Sequence, residues 1–173
     1  DEDFEDYGLT EITIDNSVIN KTDLVRRKWL DNNFYVANAS VNYKKDNLNV
    51  TAGGSYSYYD GDHFGEVIWA QYAGDNVKNH SYYNGNGIKT DLSFFSKATY
   101  KLNDNISLFG DLQLRTLNYN TTGLNSDRTP LILDKDYTFF NPKAGLTYFL
   151  NENNNLYFSY ARANREPNKD DFE

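Results

Sequence analysis

The chain has 173 residues, a formal net charge of -8 and an isoelectric point near 4.7. So acidic a chain lacks the basic stripe that nucleic-acid binding requires, and no run approaches the roughly 20 apolar residues of a transmembrane helix. The absence of cysteine removes disulfides, thiolate catalysis and cysteine-based zinc sites together.

The first 33 residues look like a long polar loop. Asp1, Glu2, Asp3, Glu5 and Asp6 open the chain in charge, with no basic and apolar leader, so an internal segment of a longer exported protein is expected. Six strictly alternating segments follow, each read as a β-strand. The first, near 34–44, sets Tyr35, Ala37, Ala39, Val41 and Tyr43 against Asn38, Ser40, Asn42 and Lys44. The second, near 48–58, sets Leu48, Val50, Ala52, Tyr56 and Tyr58 against Asn49, Thr51, Ser55 and Ser57. The third, near 92–101, sets Leu92, Phe94, Ala98 and Tyr100 against Ser93, Lys97, Thr99 and Lys101. In the fourth, near 106–116, Ile106, Leu108, Leu112 and Leu114 alternate with Ser107, Asp111, Gln113 and Arg115. The fifth, near 138–150, alternates Phe140, Ala144, Leu146, Tyr148 and Leu150 with Asn141, Lys143 and Thr147. The sixth, near 156–163, places Leu156, Phe158 and Tyr160 opposite Tyr157, Ser159 and Ala161.

One unit is thus written three times: strand, tight turn, strand. Turns at 45–47, 102–105 and 151–155 are rich in Asn, Asp and Glu, which tolerate turn conformations. Tyr43, Tyr100 and Tyr148 each precede such a turn, while Tyr35, Tyr56, Tyr58 and Phe94 lie near the other strand ends. Two aromatic girdles around an aliphatic band, with short turns at one end and long loops at the other, predict an antiparallel up-and-down meander cut from a transmembrane β-barrel. Mean hydropathy of -0.77 does not oppose this, because a barrel strand needs only every second residue apolar. Lys97, Asp111, Arg115 and Lys143 all take the polar parity, and are expected to line the lumen. Phe95, Phe109 and Phe149 break the pattern on that face; Arg162 takes apolar parity, and Pro142 interrupts the fifth segment. A soluble antiparallel sheet with tyrosine on its packed face is the alternative all-β reading.

Long loops are expected near 1–33, 59–91 and 118–137, and loops of this length are usually functional. The second holds Asp60, Asp62, His63, Trp69, Tyr72, His80, Tyr82 and Tyr83. Aromatic rings beside carboxylates suit sugars or other amphipathic ligands, by face stacking and directional hydrogen bonds. The other reading is that these aromatics pack the loop onto the rim. Asp60 and Asp62 lack the further ligands of a calcium loop, and the two histidines lack metal-ligand spacing, so no metal or cofactor is assigned. No Gly-x-Ser-x-Gly elbow, phosphate loop or His-Glu-x-x-His motif occurs, and no catalytic residue is expected.

The run Lys21–Phe34, with Arg26, Arg27, Lys28 and Trp29, and the closing run Tyr160–Phe172, with Arg165, Glu166 and Pro167, resemble the barrel of TonB-dependent outer-membrane receptors. The resemblance covers the chain from about Asn16 onward. It implies a large barrel of typically about 22 strands with a plugged lumen. It further implies import of a siderophore, cobalamin or glycan across the cell outer membrane, driven through the TonB system, in some cases beside a surface lipoprotein. The plug, the TonB box and the terminal aromatic strand have no counterpart in this sequence. Two other functions stay open: a soluble β-sandwich that binds glycans through the 59–91 loop, and a plain porin-like barrel. Six strands cannot close a wide barrel, so an isolated fragment is expected to pair its edges, to curl, or to need detergent.

Overall fold

A computed structural model describes residues 2–72, 74 and 77–167. Asp1, positions 73, 75 and 76 of the second loop, and residues 168–172 of the closing run lie outside the described residues.

Six long strands form one antiparallel meander: β5 (Leu24–Lys45), β6 (Leu48–Ala70), β7 (His80–Lys101), β8 (Ile106–Gly123), β9 (Leu133–Asn151) and β10 (Asn154–Ala161). They lie in sequence order, with β5 and β10 at the edges. Before them come β1 (Glu2–Asp3), a 3-10 turn over Glu5–Tyr7, β2 (Ile12–Ile14), β3 (Ser17–Ile19) and β4 (Lys21–Thr22). β1 pairs with β4, and β2 with β3. The long strands lie in one sheet, so the chain does not build a two-sheet sandwich from them. The expected turns are present: Asp46 sits at φ 48° between β5 and β6, and Asn103 Oδ1 accepts the backbone N–H of Asn105 and Ile106 between β7 and β8.

Strand lengths differ from the sequence expectation. Strands of about 9–13 residues were expected, whereas β5, β6 and β7 run for 22, 23 and 22. Hydrogen-bonded strand therefore takes over much of the segments read as loops, and the β6–β7 connection shrinks to residues 71–79. Hydrophobic alternation marks a strand only where one side meets lipid or a core. Residues such as Tyr59–His63 have polar neighbours on both sides and show no such contrast. β9 likewise begins at Leu133, ahead of Pro142. In an antiparallel pair a residue's N–H and C=O point to the same neighbour. The Pro142 carbonyl accepts the Arg162 N–H at 3.0 Å, just past the end of β10, so its missing donor falls where pairing stops. Arg162, the residue of apolar parity, is thereby the first residue beyond the strand.

The contacts divide the chain into two units. The unit made of Tyr35–Tyr58, Thr90–Asn118 and Asp136–Glu173 wears its apolar side chains outward. Val41, Phe158 and Tyr160 are 72%, 66% and 70% exposed, and Leu108, Leu112, Leu114, Phe140 and Leu150 are exposed beside them. In β8, exposed Leu108, Leu112 and Leu114 alternate with half-buried Phe109, Asp111, Gln113 and Arg115. That is the reverse of a water-soluble sheet. The β9–β10 register keeps the pattern: Leu156 faces Tyr148, Phe158 faces Leu146 and Tyr160 faces Ala144, while Tyr157 faces Thr147. In water such a band would cost about 25 cal/mol per Å² of bare apolar surface, a cost that lipid or detergent removes.

The other unit, Asp1–Phe34, Tyr59–Lys89 and Tyr119–Lys135, has a buried core. Tyr7, Val67, Tyr82 and Tyr83 form it, with Leu9, Leu24 and Leu124 packed against them. Tyr82 stands 4.9 Å from Tyr7 and 5.0 Å from Tyr83, ring centre to ring centre. Gly65 makes this possible: a Cβ there would collide with the Tyr83 ring and stand 2.5 Å from Tyr82 Cε1. Arg128 Nη1 donates to the Tyr82 carbonyl at 3.2 Å, and the buried Thr22 hydroxyl accepts the Tyr72 N–H at 2.8 Å.

Candidate functional site

Ligand contact was expected at Asp60, Asp62, His63, Trp69, Tyr72, Tyr82 and Tyr83. The structure places five of these residues in three groups and leaves Trp69 and Tyr72 outside them. Asp60 and Asp62 project from the same side of β6, two residues apart, and Asn86 Nδ2 of β7 donates to an oxygen of each at 2.8 Å. One amide thus ties two carboxylates into an acidic patch that leaves acceptor positions open.

His63 belongs to a second group. Tyr59 Oη donates to Asn32 Oδ1 of β5 at 2.9 Å and lies 3.4 Å from His63 Nε2. The Tyr59 side chain reaches along β6 across Gly61. A Cβ at position 61 would collide with Tyr59 Oη and stand 2.5 Å from Asn32 Oδ1. The glycine is what lets phenol, amide and imidazole meet. Leu30 and Phe34 flank Asn32 on the same side of β5 by alternation, and both are exposed. Directional polar groups between apolar surfaces form an amphipathic platform. Asn32, Tyr59 and Phe34 were not singled out from sequence; the one available signal was Gly61 inside an otherwise bulky strand.

The third group is structural. Tyr82 and Tyr83 are only 2% and 7% exposed, so their rings shape the wall from within. Burial raises the pKa of both phenols, partly offset by the Arg26 guanidinium. The Tyr7 phenol is also raised, first by burial and then by Glu2, while Arg26 lowers it. Arg26 Nη1 donates to Tyr7 Oη, which donates in turn to Glu2 Oε2 at 3.2 Å. His80 Nε2 lies 2.8 Å from the Tyr7 carbonyl and pins the N-terminal segment. Trp69 and Tyr72 remain exposed, apart from the Asn32–Tyr59–His63 group.

The four residues expected in the lumen sit on the less exposed side of β7, β8 and β9. Arg115 Nε donates to Asp91 Oδ2 at 2.9 Å, with a second contact through Nη2, and Glu166 Oε2 lies 3.5 Å from Nη2. Beside it, Asn141 Nδ2 donates to Gln113 Oε1 at 3.2 Å, and Asn141 Oδ1 accepts the Asn164 backbone N–H at 2.7 Å. Asn164 and Glu166, from the run that resembled the receptor family, thus fasten the segment after β10 to this face. Lys97 and Lys143 lie over the ring of Phe109, each 5.4 Å from its centre. Asp111 follows two positions later on the same face of β8.

On the exposed apolar side of the same unit is a groove of about 330 Å³, with Thr90, Leu92, Thr116 and Thr138 in its lining. None of the expected ligand residues lines it. No cluster of three metal-ligating side chains occurs among the described residues.

A family model described as the β-barrel of TonB dependent receptor-like proteins matches residues 6–172. No curated protein matches the chain. With strands, face polarity and match in accord, the chain belongs to the TonB-dependent receptor β-barrel family.

Proposed function

We propose that this chain is a wall segment of a receptor that imports a scarce ligand, of the siderophore, cobalamin or glycan class, across the Gram-negative outer membrane. The family consists of outer-membrane receptors and transporters, not enzymes, that work with a TonB system. The observation that carries the reading is the inverted polarity of β8: leucines exposed on one side, Asp111, Gln113 and Arg115 on the other. In a barrel the first side meets lipid and the second the lumen. Lys97, Asp111, Arg115 and Lys143 then line that lumen. Ligand contact falls to Asp60, Asp62, His63, Trp69 and Tyr72, joined by Asn32 and Tyr59, with Tyr82 and Tyr83 holding the wall beneath. The edges β5 and β10 would be continued by further strands of a closed barrel, and in the isolated segment by a second copy. A surface lipoprotein could sit over the ligand-binding end.

Cysteine scanning tests this, since the chain brings no cysteine of its own to interfere. Single cysteines at positions 111, 112, 113 and 114 of the full-length receptor, in intact cells, are treated with a membrane-impermeant maleimide. Labelling at 111 and 113 but not at 112 and 114 is expected. Uniform labelling, or the opposite alternation, would sink the proposal. Ligand uptake that requires a functional TonB system is the second readout.

A further inference from the structure

We propose that Lys97, Phe109 and Lys143 form a binding site for an oxyanion, the phosphate, sulfate or carboxylate group of a small dissolved ligand. The site rests on the reading of this face as lumen-lining, and adds to that reading a place and a charge preference.

Three adjacent strands build it. β8 lies between β7 and β9 in the sheet, so Lys97 and Lys143 reach Phe109 from opposite neighbours. Each ammonium is 5.4 Å from the same ring centre. The aromatic quadrupole attracts both cations and holds two flexible chains against one ring. A phenylalanine on a polar face, otherwise a discord in the alternation, thereby gains a role as the post against which two lysines lean.

Charge bookkeeping distinguishes this cluster from the rest of the wall. Arg115, on the same side of the sheet, is neutralised by Asp91 and Glu166. Among the described residues neither Lys97 nor Lys143 lies within 4.0 Å of a carboxylate. Asp111 shares their face without pairing with either, so the group keeps a net positive charge. A chain of net charge -8 therefore holds, against one ring, two cations that have no carboxylate partner among the described residues. Such cations are the usual means by which pores favour anions and phosphates. Lysine suits the task as a compact charge with three rotatable donors, able to follow an anion that passes through. The ring also excludes water from one side of each ammonium, which strengthens attraction to an incoming anion.

The test uses the full-length receptor in detergent, with inorganic pyrophosphate as the probe, titrated calorimetrically at low ionic strength. Saturable binding is expected, weakened about tenfold by Lys97→Gln or Lys143→Gln and lost in the double variant. Lys97→Arg should retain most of it, and Lys101→Gln, at the turn, all of it. Phe109→Leu should weaken binding while leaving both charges present, which a mere sum of surface charge would not do. Heat-modifiable electrophoretic mobility confirms that each variant is a folded barrel. No pyrophosphate binding by the unaltered receptor overturns the proposal, as does binding that survives the double variant. Failure here with the cysteine pattern at 111–114 intact sinks the anion site alone; loss of that pattern sinks the barrel reading beneath it.

Discussion

Exchanging one leucine on the exposed face for arginine has a calculable cost. Leu112 lies six residues past Ile106, the first residue after the short turn. At about 3.3 Å per residue this is ~20 Å along the strand, or ~15 Å of depth at a tilt of ~40°. The apolar band of such barrels is about 25 Å tall, so Leu112 stands near its middle. A guanidinium there costs about 2–4 kcal/mol, which corresponds to a 30- to 700-fold drop in the folding constant at about 1.4 kcal/mol per decade. Removing the leucine acts in the same direction, by up to about 2 kcal/mol. Leu112→Arg in the full-length receptor, followed by reversible denaturant unfolding in lipid vesicles, gives the difference directly. Gln113→Arg is the control one residue away, on the side that already carries Asp111 and Arg115, and should cost under about 1 kcal/mol. Equal costs for the two variants would refute the two-faced wall, because the introduced charge and its depth are matched while the face, and with it the residue replaced, differs.

Asn164→Ala removes the amide that bonds Asn141 and the Phe140 carbonyl. It should loosen the segment after β10 by about 1–3 kcal/mol, measured as faster amide exchange at 162–166, and unchanged exchange would contradict the fastening. Gly61→Ala should drive Tyr59 away from Asn32 and His63 and weaken ligand capture while the barrel still assembles. Normal capture by that variant would exclude the Asn32–Tyr59–His63 platform. Tyr7, Tyr82 and Tyr83 have phenol pKa values raised above 10.0 in the folded state. Their neutral forms therefore contribute stability that is fully present below pH about 10 and lost as pH rises through the raised values. An ultraviolet titration should show tyrosine ionisation that persists above pH about 10, together with loss of the N-terminal packing. One common transition near pH 10 would contradict this.

The membrane band was the legible part. Lipid imposes a strict contrast on alternate residues, and Leu108, Leu112 and Leu114 against Asp111, Gln113 and Arg115 display it without help from tertiary context. The turns were legible for a similar local reason, since Asp46 and Asn103 use backbone and side-chain chemistry suited to tight reversals. The outer halves of β6 and β7 were not, because water on a strand erases the periodicity while the ladder continues. The packing of Tyr7 against Tyr82, 75 residues apart, depends on Gly65 and Arg128, and no local pattern announces such a meeting. The candidate site was half visible. Asp60, Asp62 and His63 stood out by chemistry, but their sorting into an amide-bridged acid pair and a separate tyrosine–histidine group needed the register of β5, β6 and β7.

Ladders that continue unbroken through Ala70 and from His80 have a bearing on how such a receptor could change what it captures. A floppy crown could swap preference by trading whole segments. A stiff ladder instead fixes where every second side chain points, so in the proposed site new tastes would arise one position at a time.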